Sequence, residues 1–144
     1  RAGVEEAVGR INGRYGKLGR SVVHYEHHSV PKSQLRSYYS AADIMLVTPF
    51  KDGMNLVAKE YVACHPDGSG ALVLSEFAGA AVELHQAHLC NPFDIESVKG
   101  AIVEAVDKQG STEARDAMRA MNEHVATHDV AAWAESFLDE LARA

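Results

Sequence analysis

Apolar positions fall into two kinds of pattern that alternate along the chain. Val4, Ala7, Val8 and Ile11 recur at helical spacing, so residues 2 to about 14 are predicted as a helix with a glycine-rich end at Gly13 and Gly16. Ser21 to Tyr25 is short and β-branched and is predicted as a strand. Pro31 can open a helix at its first position, and Leu35, Tyr38, Tyr39 and Ala42 give that helix an apolar stripe. Ile44 to Val47 is an unbroken apolar run, the mark of a strand covered on both faces in a parallel sheet. The alternation continues with a helix from Asn55 to about Cys64, a buried strand from Ala71 to Leu74, a short helix from Ala78 to about Leu84 and a brief strand from His88 to Cys90. Asp94 is a cap for a helix carrying Ile95, Val98, Ile102, Val103 and Val106. A last helical stretch from about Ser111, broken near His128 and Asp129, carries Met118, Met121, Val125, Trp133, Phe137 and Leu141.

Strand and helix alternate with short connections, which predicts right-handed crossovers and one α/β fold of the doubly wound kind. At 144 residues the chain has the size of one domain, able to bury about two thirds of the surface of its unfolded form. The turn-rich HPDGSG from His65 to Gly70 is predicted as a surface loop tolerant of change.

Composition narrows the function classes. The formal net charge of -6 opposes a sequence-independent grip on nucleic acid, which needs a basic surface. No stretch approaches the roughly 20 apolar residues of a membrane helix, so the expectation is a soluble chain with no membrane partner. Cys64 and Cys90 are spaced for neither a disulfide framework nor a zinc site and read as small apolar residues of a reducing, cytoplasmic setting. The chain opens at Arg1 in helical pattern, without methionine or signal peptide, and is expected to be a piece of something longer. His24, His27 and His28 alternate along a strand end and point to different sides, and His124 and His128 lack an intervening glutamate of the zinc-hydrolase kind. No metal and no cofactor is expected.

In open parallel sheets, ligands bind beyond the carboxyl ends of the strands, where helix N-termini offer unpaired amides. Two segments have that arrangement. One runs from Thr48 through Pro49, Phe50, Lys51, Asp52 and Gly53 to a helix near Leu56, and its amides at Met54, Asn55, Leu56 and Val57 could cradle a diphosphate. The other is Ser75 to Ala81. On pattern alone the same turns are how any such domain joins its elements.

The wording of these segments is more specific. LVTPFKDGMNLVAKEY, Leu46 to Tyr61, resembles the donor-site signature of trehalose-6-phosphate synthases, and VLSEFAGAAVEL, Val73 to Leu84, resembles that family's following block. INGRYG, YYSAADIMLVTP and NPFD extend the resemblance over nearly the whole chain. It implies the Rossmann-like C-terminal half of a GT-B glycosyltransferase, with a mostly parallel sheet and helices on both faces. Residues 1–144 would be part of the sugar-nucleotide-binding domain, with C-terminal helices from about 111. The four strands would be the third to sixth of the order 3-2-1-4-5-6, with the first two strands missing. Residues 21 to 25 would then be an unpaired edge, and association with a second copy is expected, as a homo-oligomer.

The resemblance also implies an activity: retaining transfer of glucose from a nucleotide-sugar, UDP-glucose or similar, to glucose-6-phosphate, giving trehalose-6-phosphate. Asp52, the catalytic candidate, would contact hydroxyls of the donor glucose. Gly53, Met54 and Asn55 would lie along the glucose and diphosphate, Leu56 and Val57 would continue that cradle, and Glu60 would accept hydrogen bonds from the ribose hydroxyls. Val30 stands where the family sets a residue, often aromatic, against the nucleobase; valine can pack there but cannot stack. The family's diphosphate-binding arginine and lysine and its acceptor domain for glucose-6-phosphate belong upstream of Arg1, so the chain alone is expected to be inactive. Lys51 and Lys59 read as surface cations. The competing readings are a non-catalytic sugar-nucleotide-binding regulatory module and a sugar-nucleotide epimerase of the same architecture.

Overall fold

A computed structural model describes residues 1–143. They form two compact units, residues 1–31 and 32–143.

In the first unit, helix α1 (Ala2–Tyr15) is followed by irregular chain. The strand predicted at Ser21 to Tyr25 is not formed. A strand needs a neighbour for its backbone groups, and here one side chain takes that place. Asn12 Oδ1 accepts from the amides of Val22 (2.9 Å) and Val23 (2.8 Å), while its Nδ2 donates to the Val23 carbonyl (2.8 Å). The β-branched composition therefore misleads, because pairing decides strand formation more than propensity does.

The second unit follows the predicted alternation. Its elements are α2 (Lys32–Ala41), β1 (Ile44–Val47), α3 (Leu56–Ala63), β2 (Ala71–Ser75), α4 (Ala80–Glu83), β3 (His88–Cys90), α5 (Ile95–Lys108), α6 (Thr112–Thr127) and α7 (Val130–Arg143). The sheet has three strands in the order β1-β2-β3, all parallel, rather than four. Its outer strands are β1 and β3, so the sheet edge predicted at residues 21 to 25 falls on β1 instead.

Alternation along β2 divides the core. Leu72 and Leu74 pack on one face with Ala58, Tyr61 and Val62 of α3, Ala80 and Ala81 of α4, and Met118 and Met121 of α6. Ala71 and Val73 pack on the other with Ala101 and Ala105 of α5. All five residues of β2 are buried, as a central parallel strand requires. On β1 only Val47 is buried and Leu46 is 46% exposed, so the expectation of cover on both faces fails at this outer strand. Asp94 is the cap that the sequence predicts, its side chain accepting from the Glu96 amide at α5, and at α6 the Ser111 side chain accepts from the Ala114 amide.

The His65 to Gly70 loop is more constrained than expected. His65 is buried, its ring 4.3 Å from that of Tyr61. Gly70 has φ +80°, and a side chain there would run into the Tyr61 hydroxyl. Tolerance of substitution is therefore confined to its exposed positions, Pro66, Asp67 and Ser69. No helix among the described residues is long and apolar enough to cross a membrane.

Candidate functional site

The turns after β1 and β2 lie side by side at the carboxyl end of the sheet. A parallel bridge pairs Asp52 with Ala78. Asp52 N–H donates to the Phe77 carbonyl (3.3 Å), Gly79 N–H to the Asp52 carbonyl (2.9 Å), and Ala80 N–H to the Met54 carbonyl (2.7 Å). The third turn joins through aromatic rings: Phe93 sits 4.8 Å from Phe50 and 5.7 Å from Phe77, centroid to centroid. Both segments singled out in the sequence thus become one surface.

Asp52 organises its own turn. Its Oδ1 accepts from the Met54 amide (3.0 Å) and its Oδ2 from the Asn55 side-chain amide (3.1 Å). The Met54 amide, followed by the Asn55 side chain and backbone, holds the Asp52 carboxyl below the usual carboxylate range. Asn55 takes the left-handed conformation, φ 73°, and caps α3 by accepting from the Ala58 amide (2.9 Å). Asparagine tolerates that conformation better than other non-glycine residues and is a strong N-cap, which explains its place in the DGMN turn.

This geometry redistributes the predicted cradle. The Met54 amide is engaged by Asp52, so the donors presented at the start of α3 are the amides of Leu56 and Val57, the first helical positions, with the Leu56 and Val57 side chains exposed. Gly53 is exposed, and nothing lies within 4 Å of where its Cβ would be. Glu60 lies one turn further along α3, exposed, and accepts from the Tyr39 hydroxyl at 3.1 Å. Val30 belongs to the first unit, and the other candidates belong to the second.

Two features were not legible in the sequence. Tyr39, read there as packing, reaches Glu60 across 21 positions. Lys59, read as a surface cation, is bound by both oxygens of Glu83 at 2.8 Å, and its side chain is only 19% exposed. His124 approaches the same carboxylate at 3.3 Å, so α3, α4 and α6 are tied together at one point. Lys59, before any other partner, lowers the Glu83 pKa. Beside it Met54, Leu56, Lys59 and Glu83 face His128 and Trp133 across a groove of about 710 Å³.

Two carboxyl-end turns, one leading into a capped helix N-terminus beside a carboxylate, lie where open parallel sheets bind their ligands. The chain belongs to glycosyltransferase family 20, whose model matches residues 1–143. It is 58% identical over 141 residues to the trehalose-6-phosphate synthase of Mycobacterium leprae, an alignment covering 98% of this chain and 28% of that protein. Its fold is similar to the crystal structure of an alpha,alpha-trehalose-phosphate synthase (UDP-forming) from Burkholderia xenovorans in complex with glucose-6-phosphate. That comparison gives a TM-score of 0.88 at 39% identity, over 99% of this chain and 32% of that one. The N-terminal domain of Candida albicans trehalose-6-phosphate phosphatase is similar too, with a TM-score of 0.86 at 31% identity, over 97% of this chain and 30% of that one. The chain thus spans under a third of the length of its relatives.

Proposed function

We propose that this chain supplies the donor-binding side of a retaining glucosyl transfer from UDP-glucose to glucose-6-phosphate, forming trehalose-6-phosphate. The observation that carries the reading is the pair of amides at Leu56 and Val57, aimed from the start of α3 beside the Asp52 turn. A helix N-terminus combines free donors with partial positive charge, which suits a diphosphate whose charge grows as the glycosidic bond breaks. Leu56 and Val57 hold that group in this reading, with Gly53, Met54 and Asn55 lining the path from glucose to diphosphate.

Asp52 receives the glucose hydroxyls. A carboxylate has about four acceptor positions, and the Met54 and Asn55 donors use two of them. The remaining two accept from the sugar while the turn keeps its shape. Glu60 accepts from the ribose hydroxyls. The Burkholderia xenovorans relative, described as UDP-forming and bound to glucose-6-phosphate, supports uridine as the base and glucose-6-phosphate as the acceptor. Another related structure, described as bearing on glycosyltransfer with retention by trehalose-6-phosphate synthase, supports the stereochemistry. The acceptor site and the cations that complete the leaving-group pocket belong to other parts of a full-length polypeptide.

The test is calorimetric titration of a full-length polypeptide carrying these residues with the uridine, adenosine and guanosine diphosphate forms of glucose, alongside Asp52→Ala and Glu60→Ala. Each substitution is expected to weaken the best donor at least tenfold, and unchanged affinity in both discards the site.

A further inference from the structure

We propose that Tyr39 is a positioning residue for donor recognition, holding the Glu60 carboxylate in place for the ribose of the incoming nucleotide. The inference rests on the reading of Glu60 given above and assigns the residue that acts through it.

Glu60 alone is a poor fixed acceptor. It lies on the exposed side of α3, and a free glutamate side chain samples many rotamers that binding must freeze. Tyr39 supplies the constraint. It sits near the end of α2, its body packed against the core cluster that includes Tyr61 and Val62, and its hydroxyl donates to Glu60 Oε2 at 3.1 Å. The ring has only two side-chain torsions, and core packing restrains both, so the hydroxyl is a fixed point from which the more mobile glutamate hangs. The bond leaves Oε1 and one lone pair of Oε2 for two vicinal ribose hydroxyls.

The donor role requires that the phenol keep its proton. Burial, followed by the neighbouring Glu60 carboxylate, raises the Tyr39 pKa above its ordinary value, so the hydroxyl stays a donor throughout the neutral range. Phenylalanine would retain the packing and delete only the hydrogen bond.

The experiment compares uridine diphosphate with its 2′,3′-dideoxyribose analogue, by titration calorimetry on a full-length polypeptide carrying these residues. Tyr39→Phe is expected to weaken uridine diphosphate about 3- to 10-fold, the net effect of one ordinary hydrogen bond, and to leave the dideoxy analogue unchanged. In Tyr39→Phe/Glu60→Ala the Tyr39 change is expected to add no further loss over Glu60→Ala, because the two act as one unit. Equal weakening of both ligands assigns Tyr39 a purely structural role and overturns the proposal, as does an unchanged affinity for uridine diphosphate. If Glu60→Ala itself leaves the preference for the hydroxylated ribose intact, the ribose reading of Glu60 fails first. A loss in Glu60→Ala with none in Tyr39→Phe defeats the positioning claim alone.

Discussion

Gly79 stands so close to Gly53 that a Cβ added at residue 79 would collide with the Gly53 carbonyl oxygen, with the Gly53 carbonyl carbon only 2.7 Å and the Met54 Cα 3.2 Å away. The constraint is spatial rather than torsional, because Gly79 has ordinary helical angles, φ -56° and ψ -33°. What it would strike is backbone, which cannot rotate aside as a side chain can. The glycine of the second turn is therefore what allows the first turn to close over it.

Gly79→Ala is accordingly expected to push the Asp52 to Asn55 turn away from α4 and break the Gly79 to Asp52 and Ala80 to Met54 hydrogen bonds. Overpacking of this kind costs about 1–3 kcal/mol. Because the displaced turn carries the proposed donor contacts, the loss of UDP-glucose affinity should exceed tenfold. Denaturant unfolding and calorimetry on one preparation check both outcomes; an unfolding midpoint and affinity like the parent's would show that the turns are not coupled.

The Asp52 turn should respond to acid. The folded-state pKa is lowered, chiefly by the Met54 amide, so the carboxylate's contribution to the turn is fully present above the unfolded value of about 3.9. It is lost as pH falls through the lower folded value. The Met54 amide resonance in a nuclear magnetic resonance titration is expected to move with a midpoint below 3.9, and Asp52→Asn should abolish that movement. A midpoint at or above the ordinary value would mean that the bond is not formed in solution.

Much of this fold is legible in local pattern. Ile44 to Val47 and Ala71 to Leu74 announce strands, and Asp94 announces a cap, because each signal lies within a few residues of its effect. Pairing is not local. Nothing in the composition of Ser21 to Tyr25 reveals that Asn12 takes its backbone groups, although an asparagine at a glycine-flanked helix end is the residue type able to do so. The DGMN turn could be placed at the end of β1 from sequence, yet the engagement of its Met54 amide by Asp52 depends on side-chain torsions. The Tyr39 hydrogen bond and the burial of Lys59 escape local pattern because their partners, Glu60 and Glu83, lie 21 and 24 positions away and meet them only once the helices have packed.

Tyr61 offers a test of the frame beneath the site. Its side chain is fully buried between α3 and the start of β1 and β2, where the hydroxyl donates to the Ala42 carbonyl (3.0 Å) and accepts from the Ala71 amide (3.2 Å). The Ala71 amide also donates to the Asp43 carbonyl (2.9 Å), so removing the hydroxyl strips the Ala42 carbonyl of this donor and weakens a shared bond at Ala71. Tyr61→Phe should therefore cost about 1–2 kcal/mol at neutral pH. Burial pushes the phenol pKa up to about 12. Because the folded value lies above the unfolded value of about 10, the neutral phenol stabilises the fold fully below pH 10 and progressively less as pH rises through 12. The parent should lose on the order of 2–3 kcal/mol over that window from this group alone, while Tyr61→Phe has no such group to ionise. Urea unfolding at pH 8, 10 and 11.5 separates the two: the gap between parent and variant should narrow with pH, and a constant gap would mean that Tyr61 reaches solvent in the folded protein.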